Sequence, residues 1–155
     1  MSISKTRLVT IEEALIAAAD PDRAAYRVAM STFMEGFKEL ACEATDWEQL
    51  RPWAAEHATH LLAAHHALAD WSATTADVFY KGGEEGAELL LERRSKLELV
   101  RDLFHDTEVE SLVEACRDDE MDELYREQAL GFALDPPDWV PPSHTWWRWQ
   151  TFGQV

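Results

Sequence analysis

Four histidines crowd one stretch of the chain, His57, His60, His65 and His66, beside Glu56, and a fifth, His105, is followed at once by Asp106. Imidazole and carboxylate together hold divalent transition metals, and a metal so held activates water or polarises a phosphoryl oxygen. On a helix, positions 57 and 60 lie on adjacent sides of one face and 57, 61 and 65 along one stripe, so two or three imidazoles could converge. A complete site needs ligands from a second helix, which His105 with Asp106 or Asp102 can supply. The simpler reading of the same residues is one buried histidine with a hydrogen-bonding partner and the others in water.

Other catalytic templates are absent from the sequence. There is no GxSxG elbow, no P-loop and no GxGxxG, and KGGEEG (81–86) lacks the preceding strand that a phosphate-cradling loop requires, so its glycines read as a helix stop. No pair of Glu-x-x-His motifs of the di-iron kind occurs. Cys42 and Cys116 stand 74 positions apart and outside any CxxC pair, which predicts neither a disulfide framework nor a zinc site.

Charge offers a different function. Thirty acids against fourteen bases leave a net charge of −16, so a nucleic-acid backbone or an anionic membrane would be repelled. Between Asp106 and Glu127 ten acids meet only Arg117 and Arg126, which concentrates −8 in one stretch. That density is either a solvated face or a docking surface for a basic protein, centred on Asp118, Asp119, Asp122 and Glu123. From Leu134 the composition changes to LDPPDWVPPSHTWWRWQTFGQV, with four of the six prolines and Trp139, Trp146, Trp147 and Trp149. The prolines favour an extended path, and indoles are costly to leave in water, so this tail is expected to dock on the bundle or on a partner.

The elements that must position these residues are helical. Thr10 with Glu13, Thr45 with Glu48 and Thr107 with Glu110 have capping-box spacing, and Asp20 with Pro21 reads as a cap and first helical turn. These signals predict helices over about 10–19, 20–44, 45–80 with a kink or restart at Pro52, 84–104, a short one from Thr107, and 118–133. The second carries Tyr26, Met30, Phe33, Met34, Phe37 and Leu40 at the spacing of one buried face. The third carries Trp53, His57, Leu61, Ala64, Leu68, Trp71, Thr75 and Val78 on one stripe, which places His57 among core residues. The fourth buries Ala87, Leu90, Leu91, Leu97, Val100 and Phe104, while Arg93 and Arg94 read as a solvated face balanced by Glu88, Glu92 and Glu98. Cys116 shares a face with Val109, Leu112 and Val113, which predicts an interior thiol. No segment alternates in the manner of a strand. The prediction is an all-α domain, a compact bundle of five or six helices over 1–133, followed by an extended Pro/Trp-rich tail over 134–155. At this length the chain buries roughly 70% of its unfolded surface and needs no staple. Glu12 and Glu13 interrupt what a signal peptide would need as its apolar region, and no uncharged run is long enough for a membrane span, so a cytoplasmic location is expected.

The stretches AAEHATHLLAAHHALAD (54–70) and DLFHDTEVE (102–110) resemble the HD-domain metal phosphohydrolases, with a histidine early in one helix and a His-Asp pair ending a later one. The resemblance implies His57 as the first metal ligand, His105 and Asp106 as the pair, and a divalent transition metal as cofactor. The family's final aspartate has no clear counterpart, with Asp118, Asp119 and Asp122 matching only by order in the chain. Two readings therefore stand. The first is a non-enzymatic acidic interaction protein without cofactor: an inhibitor or immunity-type partner, an assembly chaperone or a component of a larger particle. Its partner would be a protein, possessing a basic surface in the simplest case, met by Asp118, Asp119, Asp122, Glu123 and the tail tryptophans. The alternative is the HD-type phosphohydrolase using His57, His105 and Asp106.

Overall fold

Short caps and long apolar stripes give a chain of helices. The computed structural model describes residues 5–43, 47–74, 83–116, 136–141 and 144, and among these every regular element is helical. They are α1 (Lys5–Ala17), α2 (Arg23–Glu43), α3 (Arg51–Ala63), α4 (His65–Ala73), α5 (Gly83–Leu103) and α6 (Glu110–Cys116), with a 3-10 turn over Trp47–Leu50 leading into α3. The all-α bundle expected from periodicity is the fold. Among the described residues no helix is long and apolar enough to cross a membrane.

Helix starts differ from the capping signals in two places. Thr10 lies inside α1, where its hydroxyl donates to the Thr6 carbonyl at 3.0 Å instead of capping a terminus. The helix starts five residues upstream of the apparent cap, at Lys5, and Leu8 in that first part packs against the core. At α2 the cap is Asp22, whose Oδ2 accepts from the Ala25 amide at 3.1 Å, while Asp20 Oδ1 accepts from the Asp22 amide at 2.8 Å and shapes the turn before it. Pro52 opens α3, as its missing amide allows.

The long third run is broken at Ala64, whose φ of −93° and ψ of 19° end α3, and His65 begins α4. Neither glycine nor proline marks the break. The buried stripe survives it, since Ala54, His57, Ala58, Leu61, Ala64, Ala67, Leu68 and Trp71 are all buried. Residues 75–80, and with them Thr75 and Val78, lie outside the described part.

The core sits where α2 meets α1, α4 and α5, with α6 closing against α4 and α5. Met30, Phe33, Met34, Phe37 and Leu40 of α2 are at most 1% exposed, the face the 3.6-residue rhythm predicts. Phe37 joins the elements through its ring: Phe33 lies 4.8 Å away, Trp53 6.5 Å and Phe104 6.5 Å, all edge to face. Helix α1 crosses α2 at Gly36, where a Cβ would stand 2.5 Å from Ile11 Cγ1, so that the missing side chain sets the approach of the two helices. Leu90, Leu91 and Leu99 of α5, and Trp139 and Val140, are also buried, outside this main cluster.

Candidate functional site

His57 is held by the core that its stripe predicts. It is buried, stacks on Trp53 at 4.6 Å, and places Nδ1 2.8 Å from the Trp53 carbonyl and Nε2 3.3 Å from Glu12 Oε1. Both nitrogens therefore face oxygen acceptors, and the ring ties α3 to α1. His60 is half-buried, 5.5 Å from the His57 ring, whereas His65 and His66 are exposed beyond the Ala64 break, which takes His65 off the buried stripe.

His105 and Asp106 sit in the turn between α5 and α6. Asp106 has φ of 64°, a left-handed conformation that aspartate tolerates better than most residues. Thr107 holds the turn by donating to the Phe104 carbonyl at 2.6 Å. His105 Nδ1 lies 2.8 Å from Glu110 Oε1 and its Nε2 3.5 Å from Asp106 Oδ1, both groups exposed or half-exposed. His105, Asp106 and Glu110 are the histidine and carboxylate group, among the described residues, whose donor atoms lie within 4.8 Å of one another, a set of hard oxygens and one imidazole that suits a divalent ion. His57 is not a member of it. The three residues that the HD resemblance implies as ligands thus do not form one cluster, and Glu110, one helical turn downstream of Asp106, takes the place expected of His57.

A second polar group lies on α5, where the sequence puts a solvated face. Arg94 is 3% exposed and Ser95 fully buried. Arg94 donates to Glu98 at 2.8 Å, and Arg93 lies 4.5 Å above the Trp71 ring while donating to the Trp71 carbonyl and the Thr74 hydroxyl. The tail reaches this face. Pro137 and Pro141 each start a turn closed three residues on, by the Val140 amide to the Pro137 carbonyl and the His144 amide to the Pro141 carbonyl, both at 3.0 Å. His144, 4% exposed, then places Nδ1 2.9 Å from Ser95 Oγ. Burial pushes the His144 imidazole down to about 4, with Arg94 acting the same way and Glu98 opposing. A serine bonded to histidine can be a nucleophile, yet full burial of Ser95 closes this one to substrate. Sequence reading passed over His144. The repeated Pro-x-x-Val and Pro-x-x-His spacing was the signal that could have found it.

Among the described residues the bases are largely spent on the protein's own acids. Asp70 binds both Arg23 and Arg27, at 3.1 and 2.6 Å, Glu35 both Lys96 and Lys38, at 2.8 and 3.5 Å, and Glu98 both Arg94 and Arg101, at 2.8 and 2.9 Å. Arg7 pairs with Glu39, and Arg51 with Glu48. The hydrogen bond from Arg27 holds the Asp70 carboxyl below its usual range, and that from Lys96 does the same for Glu35. Asp102 is pushed the other way, by burial and by the Glu98 charge. Glu13, Asp20, Asp22, Glu56, Glu88 and Glu108 remain on the surface. An open cavity of about 630 Å³ lies beside the crossing of α1 and α2, lined by Ile11 and Gly36, by Thr6, Thr10, Ser31 and Thr32 and by the Arg7–Glu39 pair.

Of the residues expected to meet a partner, Trp139 is 7% exposed and so already buried within this chain. Asp118, Asp119, Asp122, Glu123, Trp146, Trp147 and Trp149 lie outside the described residues, as do the helix expected over 118–133 and the side chain of Cys116. Set against protein-family models, the curated proteins and the solved structures, the chain matches none of them.

Proposed function

We propose that this protein is a non-enzymatic, acidic helical partner protein, which docks on a basic surface of another protein through Asp118, Asp119, Asp122 and Glu123 and is anchored by Trp146, Trp147 and Trp149. One observation carries the proposal: among the described residues most bases are paired internally, with Asp70, Glu35 and Glu98 each holding two cations. Internal pairing spends the positive charge inside the protein's own surface and leaves the excess of acids to set the field outside it. With a net charge of −16 that field attracts cationic proteins and repels nucleic acid and anionic lipid. Inhibition, chaperoning of assembly and a structural place in a larger particle are all served by such a surface.

The test compares two baits in a pull-down from the native source, the wild-type chain and the quadruple variant D118K/D119K/D122K/E123K, followed by association kinetics with the captured protein. A basic partner is expected whose association slows as salt rises, since the field is screened within about 8 Å at physiological ionic strength, and slows further with the variant. Equal association for both baits across the salt series would refute the role of the acids. Stoichiometric metal in protein purified without chelator, lost on His105→Ala, would instead point to a metalloenzyme.

A further inference from the structure

The described part of the tail meets α5 at His144. Trp139 and Val140 are buried, and His144 makes a polar contact to Ser95, 49 residues away in the chain. We propose that His144 is a pH-operated latch: as a neutral imidazole it holds residues 136–141 and itself against α5, and on protonation it lets them go.

The hydrogen bond to Ser95 is not what protonation breaks, because an imidazolium keeps a donor at Nδ1 and a hydroxyl can accept. What fails is the burial of a charge in a site that is 4% exposed. The charged groups of α5 that face the ring are Arg94 and Glu98. Arg94, itself 3% exposed, repels an imidazolium. Glu98 attracts one, but its carboxylate is already shared between Arg94 and Arg101, at 2.8 and 2.9 Å. The balance favours the neutral ring, in line with the fall of its pKa to about 4.

The direction of the effect follows from linkage. Once undocked, the ring titrates near 6.5, so docking is at full strength above that pH, weakens as pH falls toward 4, and is level below. Between those limits the docking constant falls roughly tenfold by pH 5.5, about thirtyfold by pH 5 and on the order of 300-fold in the acid limit. Release frees Trp139 along with His144. That this exposes a binding element rests on the partner-binding role proposed above; the release itself does not.

The test uses the full chain labelled with 5-fluorotryptophan and followed by fluorine NMR, the Trp139 signal being assigned with Trp139→Phe. As pH is lowered from 7.5 to 5, the Trp139 signal is expected to move toward its position in the unfolded chain, while Trp53 and Trp71 in the core stay put. His144→Asn, which can hydrogen-bond Ser95 and does not titrate, should hold the Trp139 signal still. Direct titration of the His144 imidazole gives a second reading, independent of any variant, with a pKa expected well below that of an exposed histidine. The latch is overturned if His144→Asn responds to pH as wild type does, if all three tryptophans move together, or if His144 titrates at 6.5 or above. Each measurement is made on the isolated protein, so failure to find a partner would leave the result standing.

Discussion

Replacing Gly36 with alanine tests the approach of α1 to α2 directly, because two effects of opposite sign meet at that position. Gly36 lies in the middle of α2, where alanine is favoured over glycine by about 1 kcal/mol through backbone entropy alone. Against this, the new Cβ would stand 2.5 Å from Ile11 Cγ1 and 3.0 Å from Cδ1, where carbon–carbon contact is comfortable only near 3.5–4 Å. Ile11 is 1% exposed, so relieving the contact takes a new rotamer of Ile11 or a retreat of α1, and forcing an extra methyl into such a site costs roughly 1–3 kcal/mol. The net expectation is a loss of about 1 kcal/mol, which for a chain of this size lowers Tm by roughly 2–4 °C. Urea unfolding followed by far-UV circular dichroism measures it. Ile11→Ala alone should cost about 2–5 kcal/mol, and in that background Gly36→Ala should change sign and stabilise by about 1 kcal/mol, because only the helix preference remains. If Gly36→Ala stabilised the wild-type protein, or kept its sign in the Ile11→Ala background, α1 would not cross α2 at Gly36.

Two further predictions use the same assay. Phe37→Ala should destabilise by about 3–5 kcal/mol, since its fully buried ring links Phe33, Trp53 and Phe104, and a melt within error of wild type would mean that another face of α2 is the inner one. Asp22→Ala should cost about 1 kcal/mol through loss of the cap on the Ala25 amide, and more than Asp20→Ala; the reverse order would return the cap to Asp20.

Much of the fold is legible without coordinates because it depends on spacing alone. The α2 stripe of Met30, Phe33, Met34, Phe37 and Leu40, and the stripe that carries His57 among Ala54, Leu61 and Leu68, follow from a period of 3.6 residues and the removal of apolar area from water. Both are properties of neighbours in the chain. Helix starts are less legible, since Thr10 and Asp20 carry the right chemistry for a cap and lost to a helix already running from Lys5 with Leu8 against the core, and to the Asp22 side chain two residues on. The break at Ala64 has no glycine or proline to announce it, and His65 just beyond it is exposed.

The candidate sites needed tertiary structure for a stronger reason. Arg94 and Ser95 look like solvent-facing residues of a charged helix, and they become interior because Glu98 neutralises the one and a histidine 49 residues away satisfies the other. Likewise His105 and Asp106 are visible as a dipeptide, while Glu110 joins them only because a left-handed turn at Asp106 folds α6 back onto α5. Apolar periodicity reports the cost of exposing a side chain, which each residue carries with it. The cost of burying a polar one depends on which partner arrives, and that is settled by the path of the whole chain.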